Sequence, residues 1–280
     1  MKIYNAVKAN MDSFEIMQAF PNNEINFLNP FVLLHHAHNY FEGGEKPENL
    51  GVPPHPHRGF VPVSIILKGA LHHRDSLGNS SIINAGGVQW TSSGSGLVHS
   101  ERPTKELSEN GGELELIQLW VNLPKEDKMN DPEYLAWEDN EIPKYISNGT
   151  KISIISGKYE DKIGVAKSKF DIDLLLVEIK DNEEFELKLD ENKDTYIYII
   201  AGNLIMNEQT LTKNKLVVLD KVSSVSISVL NNAKLLVMSG NDNGEHVAAM
   251  GPFVMNSIGE AKKAFLDYNQ GLFGELIEKF

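Results

Sequence analysis

Short runs of aliphatic and β-branched residues recur along the chain, each closed by turn-forming residues. In the first half they are Val63–Leu67, Ser81–Ile83, Val88–Thr91 and Leu114–Val121. Gly69, Asp75-Ser76-Leu77-Gly78, Gly86-Gly87 and Gly94-Ser95-Gly96 punctuate them. In the second half they are Leu174–Ile179, Phe185–Leu189, Tyr196–Ala201, Leu216–Leu219, Val225–Val229 and Leu235–Met238. Apolar runs this short, with turn signals between them, predict an all-β chain folded as a sandwich, barrel or jelly roll. Only the C-terminal region predicts a clear helix. Ser257 and Glu260 form a capping-box pattern, Ile258, Ala261, Phe265 and Tyr268 keep helical spacing, and Gly271 stops the run. Its apolar stripe is expected to pack on a sheet.

The segment Leu123 to Asn148, rich in Pro, Asp, Glu and Lys, reads as a linker between two strand-rich halves. The expected division is a domain over residues 1–135 and a second over 136–280. An internal echo supports it, because Ile65-Ile66-Leu67-Lys68-Gly69-Ala70-Leu71 resembles Ile199-Ile200-Ala201-Gly202-Asn203-Leu204. Aligned on the two glycines, His55 and His57 fall opposite Lys188 and Asp190. A chain of 280 residues with 41% hydrophobic content can supply two cores.

Composition narrows the chemistry. With no cysteine, disulfides, thiolate zinc sites, iron–sulfur clusters and cysteine nucleophiles are excluded, so any metal must sit on nitrogen and oxygen. The formal charge of -13 argues against direct binding to nucleic acid or an anionic membrane, but leaves a protein partner open. The N-terminal stretch lacks the unbroken apolar run of a signal peptide. No apolar run approaches the roughly 20 residues of a membrane helix. The expectation is a soluble, cytoplasmic protein.

Eight of the nine histidines fall within the first 99 residues, and two segments are built alike: His55-Pro56-His57 and His99-Ser100-Glu101. Side chains two apart on a strand share a face, so each segment can aim two ligands at one point. His55, His57, His99 and Glu101 together offer three imidazoles and a carboxylate, a set suited to a catalytic transition metal with a position left open for substrate. The second half has no comparable set, since no histidine occurs between His99 and His246. The remaining histidines read as bystanders: His35, His36 and His38 as an exposed loop cluster, His72 and His73 as hairpin-end residues on opposite faces, and His246 as a loop residue. Gln118 is a candidate polar group near the metal, Trp120 a core residue, and Arg58 a partner for an acid outside the barrel.

The runs HPHRGF (His55–Phe60), GGVQWTSSGSGLVHSE (Gly86–Glu101), LIQLWVNLP (Leu116–Pro124), LPKEDKMNDPEY (Leu123–Tyr134) and GPFVMNSIGEAKKAFLDYNQGLFG (Gly251–Gly274) resemble the pirin family of bicupins. The resemblance implies two cupin barrels packed face to face, with a single metal held in the N-terminal one. It carries metal ligation onto His55, His57, His99 and Glu101, the four that spacing selects. The implied metal is one divalent transition ion, iron(II) foremost, with manganese, nickel, copper, cobalt or zinc as alternatives. The chain departs from the family in having Val61-Pro62 after HPHRGF, where Glu often follows, and His35-His36 in place of an Asp-His pair. The segment from Gly157 to Phe170 also lacks a Gly-Pro common in the family. These differences bear on substrate specificity more than on the metal.

The activity implied is that of a quercetin 2,3-dioxygenase: ring cleavage of a flavonol-like or other enolisable aromatic substrate by dioxygen. The metal would acidify the enol hydroxyl and Glu101 would take its proton as general base. The family also suggests an alternative, a redox-sensitive regulator that contacts a transcription factor or metabolic enzyme. A third reading is a metal-stabilised scaffold without turnover.

Overall fold

The computed structural model describes residues 1–280 and divides into two compact units. The first comprises residues 8–18, 27–139 and 242–280, and the second residues 1–7, 19–26 and 140–241. The chain therefore changes unit near the expected boundary, but residues 242–280 return to the first unit instead of completing the second. The cause is local bonding. Val254 N donates to Arg58 O, and Lys128 Nζ donates to both Gly59 O and Val254 O, tying the C-terminal region to the HPHRGF segment.

In the first unit, the strands Val52–His57, Leu97–Pro103, Ala70–Asp75 and Ser80–Asn84 form a four-stranded sheet in that order. A seven-stranded sheet is built around Phe60–Lys68, Gly112–Asn122 and Phe31–Phe41. Period-2 alternation turns one face of each sheet inward. There Phe14, Ile66, Leu114 and Leu116 from the larger sheet meet Val52, Leu71 and Ile83 from the smaller in one apolar cluster. Each such side chain contributes about 1.5–3 kcal/mol when fully withdrawn from water.

The second unit repeats the connectivity in a nine-stranded sheet. Its strand Glu184–Lys188 pairs with the first part of Ser224–Gly240, which pairs in turn with Leu204–Met206. The same relation joins Val52–His57, Leu97–Pro103 and Ala70–Asp75 in the first unit. The glycines of the echo mark the same corner. Gly69 (φ 72°) and Gly202 (φ 88°) each sit where a Cβ would meet a backbone carbonyl of the adjacent strand, at 2.3 Å from Glu113 O and 2.4 Å from Asn232 O.

Every run expected as a strand falls in one to within a residue, although Val225–Val229 and Leu235–Met238 are parts of the single strand Ser224–Gly240 and Tyr196–Ala201 belongs to the longer Asp194–Met206. The segment expected as a linker is not unstructured. Glu133–Trp137 adds to the edge strand Val88–Ser92, and Lys144–Ser147 pairs with Thr150–Ser156. Flanking Pro, Asp and Lys obscure alternation over strands this short. The run His35-His36-Ala37-His38 is likewise no exposed loop, but the middle of the strand Phe31–Phe41. The expected helix spans Ile258–Asn269, where the Ser257 hydroxyl accepts from Glu260 N and the Glu260 carboxylate accepts from Asn256 N. Its Ala264, Phe265 and Tyr268 pack with Phe253 and Phe273 against Val98. A second, short helix at Lys105–Asn110, capped by Thr104, carries no signal in the hydrophobic pattern.

Candidate metal centre

Antiparallel pairing of Val52–His57 with Leu97–Pro103 sets His55 directly opposite His99. His57 lies two residues from His55 on the same face, so three imidazoles converge on the barrel interior. Their ring centroids stand 4.7 Å apart for His55–His57, 4.4 Å for His55–His99 and 4.8 Å for His57–His99. One ring nitrogen from each lies within 4.8 Å of the others.

The rings are oriented by backbone carbonyls. His55 Nδ1 donates to Pro53 O at 2.8 Å and His57 Nδ1 donates to Pro252 O at 3.2 Å, which leaves Nε2 of both rings as the lone-pair nitrogen. The second bond needs the C-terminal segment, and the chain is shaped to admit it. A Cβ on Gly59 would lie 2.2 Å from Val254 O, so only glycine allows the two backbones this approach. Arg58 completes the tie outside the barrel. It donates to Ser95 O and to Asp267 Oδ2 of the C-terminal helix, both at 2.7 Å, with its guanidinium over the Phe273 ring.

Glu101 follows His99 on the same strand after a break in the ladder, and is 4% exposed. It stands outside the three-imidazole group and is held by the opposite sheet. Ser64 Oγ at 2.7 Å and Gln89 Nε2 at 2.8 Å donate to one carboxylate oxygen, and Gln118 Nε2 at 2.5 Å donates to the other. Three of its roughly four acceptor positions are thus filled, leaving one for a proton or a cation.

Three residues that spacing does not single out border this constellation. His73, expected at a hairpin end, is fully buried on the inward face in register with Glu101; it bonds Asp75 at 3.0 Å and stacks on Tyr134 at 4.1 Å. The hydroxyl of Tyr134 donates to Gln89, joining this pair to the Glu101 network. His35, expected in a loop, lies directly across from Gln118, with both ring nitrogens buried and unbonded. Trp120, expected as core, lies 5.3 Å from His57 and 4.2 Å from Phe60 by ring centroids, and its Nε1 has no acceptor. Cross-strand register places these groups, and a linear sequence does not display register. By contrast His36 bonds Glu115, and His38 is half-exposed beside Glu113.

Electrostatics favour neutral imidazoles. Burial first, then the positive field of neighbouring rings, holds His57 and His99 well below the usual histidine range. Burial also lowers His55, and takes His35 down to about 4. Neutral imidazole is the form that ligates. His57 Nε2 and both nitrogens of His99 are buried without a hydrogen-bond partner, an arrangement that costs stability unless something else occupies them. The donor set and its unmet lone pairs fit a divalent transition metal.

Residues 13–121 match the pirin family profile, and residues 174–274 match the pirin C-terminal cupin domain. The chain is 34% identical over 236 residues to Pirin-1 of Arabidopsis thaliana, an alignment covering 81% of this chain and 79% of that protein. The chain belongs to the pirin family. Both of its barrels are accordingly cupin domains, as their shared connectivity requires. Among solved structures, a quercetin 2,3-dioxygenase from Acinetobacter baumannii matches with a TM-score of 0.92 and 31% identity, over 99% of this chain and 98% of that one. The Escherichia coli pirin YhhW, determined in complex with nickel(II), has the same fold at a TM-score of 0.67 and 19% identity, over 85% of this chain and 98% of that one. No helix is long and apolar enough to cross a membrane.

Proposed function

We propose that this member of the pirin family is a metal-dependent dioxygenase of the quercetin 2,3-dioxygenase type, cleaving a flavonol-like or other enolisable aromatic ring. The observation that carries the reading is the cluster of buried, neutral imidazoles whose lone pairs have no partner, beside a carboxylate held by two amides and a hydroxyl. His55, His57 and His99 would hold the metal, iron(II) foremost, with Glu101 as fourth ligand. A bound divalent metal supplies Lewis acidity that lowers the pKa of a substrate enol, and an open position for reaction with dioxygen.

The chain's own residues do the rest. The one remaining acceptor position of Glu101 serves in turn for ligation and for taking the enol proton, while Ser64, Gln89 and Gln118 keep the carboxylate aimed inward. Trp120, backed by the buried Phe60 ring, offers an aromatic surface beside His57 for an aromatic substrate. The unbonded nitrogens of His35 and the N–H of Trp120 hydrogen-bond a second oxygen of the substrate.

The test is aerobic incubation of iron-, manganese- and nickel-loaded protein with quercetin, following loss of flavonol absorbance. Turnover in at least one metal form, abolished in Glu101→Ala, supports the reading. Absence of turnover in every form, with bound metal verified by elemental analysis, overturns it.

A further inference from the structure

On the outer face of the four-stranded sheet, opposite the imidazoles, two arginines stand in contrasting surroundings. Arg102 is fully employed. It donates to both carboxylate oxygens of Glu278, at 3.1 and 2.8 Å, and to the carbonyls of Glu48 and Leu50, at 3.0 and 2.7 Å. Arg74 is equally buried, at 8% exposure, yet makes no hydrogen bond; its Nη1 is closed off from solvent without a partner. The nearest carboxylate oxygen, on Glu278, is 3.9 Å away and already bonded to Arg102, while the Phe280 ring lies 4.8 Å from the Arg74 guanidinium.

A guanidinium carries five N–H donors in a planar fork and does not lose its charge, so burying one without acceptors is costly. Unsatisfied buried donors of this kind mark places where a ligand, ion or water belongs. Charge leads to the same conclusion, because two arginines share the single carboxylate of Glu278. Asp75, next in sequence, is not available to Arg74. It too borders the cleft beside Arg74, but its carboxylate is taken up by bonds to His73, to Leu77 N and to both nitrogens of Asn79. Beside Arg74 a cleft of about 350 Å³ opens between the hairpin around Gly78 and the C-terminal segment, with Ser80, Asn79 and Lys279 on its walls. Glu275 also lines it, but its exposed carboxylate is well screened. His72, bonded to Ser80, is held neutral with a pKa of about 4, by burial and then by the field of Arg74.

We propose that this cleft is a binding site for a small anion bearing a carboxylate or phosphate group, received by the fork of Arg74 and assisted by Lys279. The volume is at the lower limit of small-molecule pockets and suits an inorganic or small organic anion rather than a nucleotide. Arg74 lies between His73 and Asp75 and directly across from Ser100, which separates His99 from Glu101. An anion seated there therefore braces, from behind, the two strands that carry His99, Glu101 and His73.

The test is titration calorimetry of the full chain with inorganic phosphate and, separately, with malonate, at constant ionic strength, for wild type, Arg74→Gln, Arg74→Lys and Lys279→Gln. Saturable binding of at least one anion to wild type is expected, weakened tenfold or more in Arg74→Gln and less in Lys279→Gln. The anion bound more tightly identifies the ligand class. Arg74→Lys keeps the charge but loses the fork, and is expected to bind at least severalfold more weakly. This variant decides the matter should Arg74→Gln fail to fold. The proposal is overturned if wild type binds neither anion saturably, or if the arginine variants bind as tightly as wild type. The outcome does not depend on the activity proposed above, because no turnover is read.

Discussion

The two barrels share a connectivity and differ in what fills the equivalent three strands. In the first, the inward positions of Val52–His57, Leu97–Pro103 and Ala70–Asp75 carry His55, His57, His99, Glu101, His73 and Asp75. In the second, the corresponding strands turn Leu187, Val225, Ile227, Leu204 and Met206 into a continuous apolar cluster with Ile197, Val217 and Leu235. One interior is hydrocarbon throughout, whereas the other sets a polar network with several lone pairs unmet beside its apolar cluster. A single fold can thus hold a wholly apolar core in one copy and a buried histidine cluster in the other.

The comparison can be broken most sharply at His99. Replacing it with Ala is expected to abolish both metal content by elemental analysis and quercetin turnover, while thermal unfolding of the metal-free protein changes little, because the removed ring had no hydrogen bonds to lose. Retained metal would refute the ligand assignment. Glu101→Gln comes next. The amide keeps the shape but cannot take a proton, so turnover should fall about 10²–10⁴-fold, with metal content measured alongside to separate loss of the base from loss of a ligand.

The complementary change in the second barrel, Ile227→Ala, should cost about 2–5 kcal/mol of unfolding free energy in denaturant titration and leave the KM for quercetin unchanged. An effect on KM would show that the apolar copy is not merely structural. Smaller still, Lys128→Met removes donors to Gly59 O, Val254 O and Asn122 Oδ1. It should lower stability by about 1–3 kcal/mol and weaken metal retention under dialysis against chelator. Finally, adding metal to metal-free protein at 100 times its Kd should stabilise the first barrel by about 2.7 kcal/mol, seen as a raised melting temperature that His99→Ala does not share.

What the sequence reveals of this contrast follows from which contacts are local. The i,i+2 spacing of His55 with His57 encodes a shared face, and cross-strand register brings His99 to it, whereas Glu101, past a break in the ladder, stands outside the three-imidazole group. Arg58 is expected to find an acid outside the barrel, and it finds Asp267. The buried role of His73 is not legible, because it depends on register with Glu101 across a strand boundary and on stacking against Tyr134, inside the segment that reads as a linker. His35 is hidden for a related reason. Three histidines in four residues look like a solvated cluster until the strand Phe31–Phe41 turns alternate members inward and outward. The return of residues 242–280 to the first unit is not legible because the bonds that make it, Val254 N to Arg58 O and Lys128 Nζ to Val254 O, meet the backbone of the returning segment, which carries no side-chain signature.

That return has a consequence for how the site comes into being. The carbonyl that orients His57 belongs to Pro252, 195 residues further along the chain. At a synthesis rate of about 5–20 residues per second, roughly 10–40 seconds separate the emergence of His57 from that of its anchor. Both barrels can be largely assembled while His57 still turns freely. The three-imidazole cluster is thus among the last parts of the protein to mature, and a nascent chain interrupted before Gly251 would carry His57 without the carbonyl that aims it.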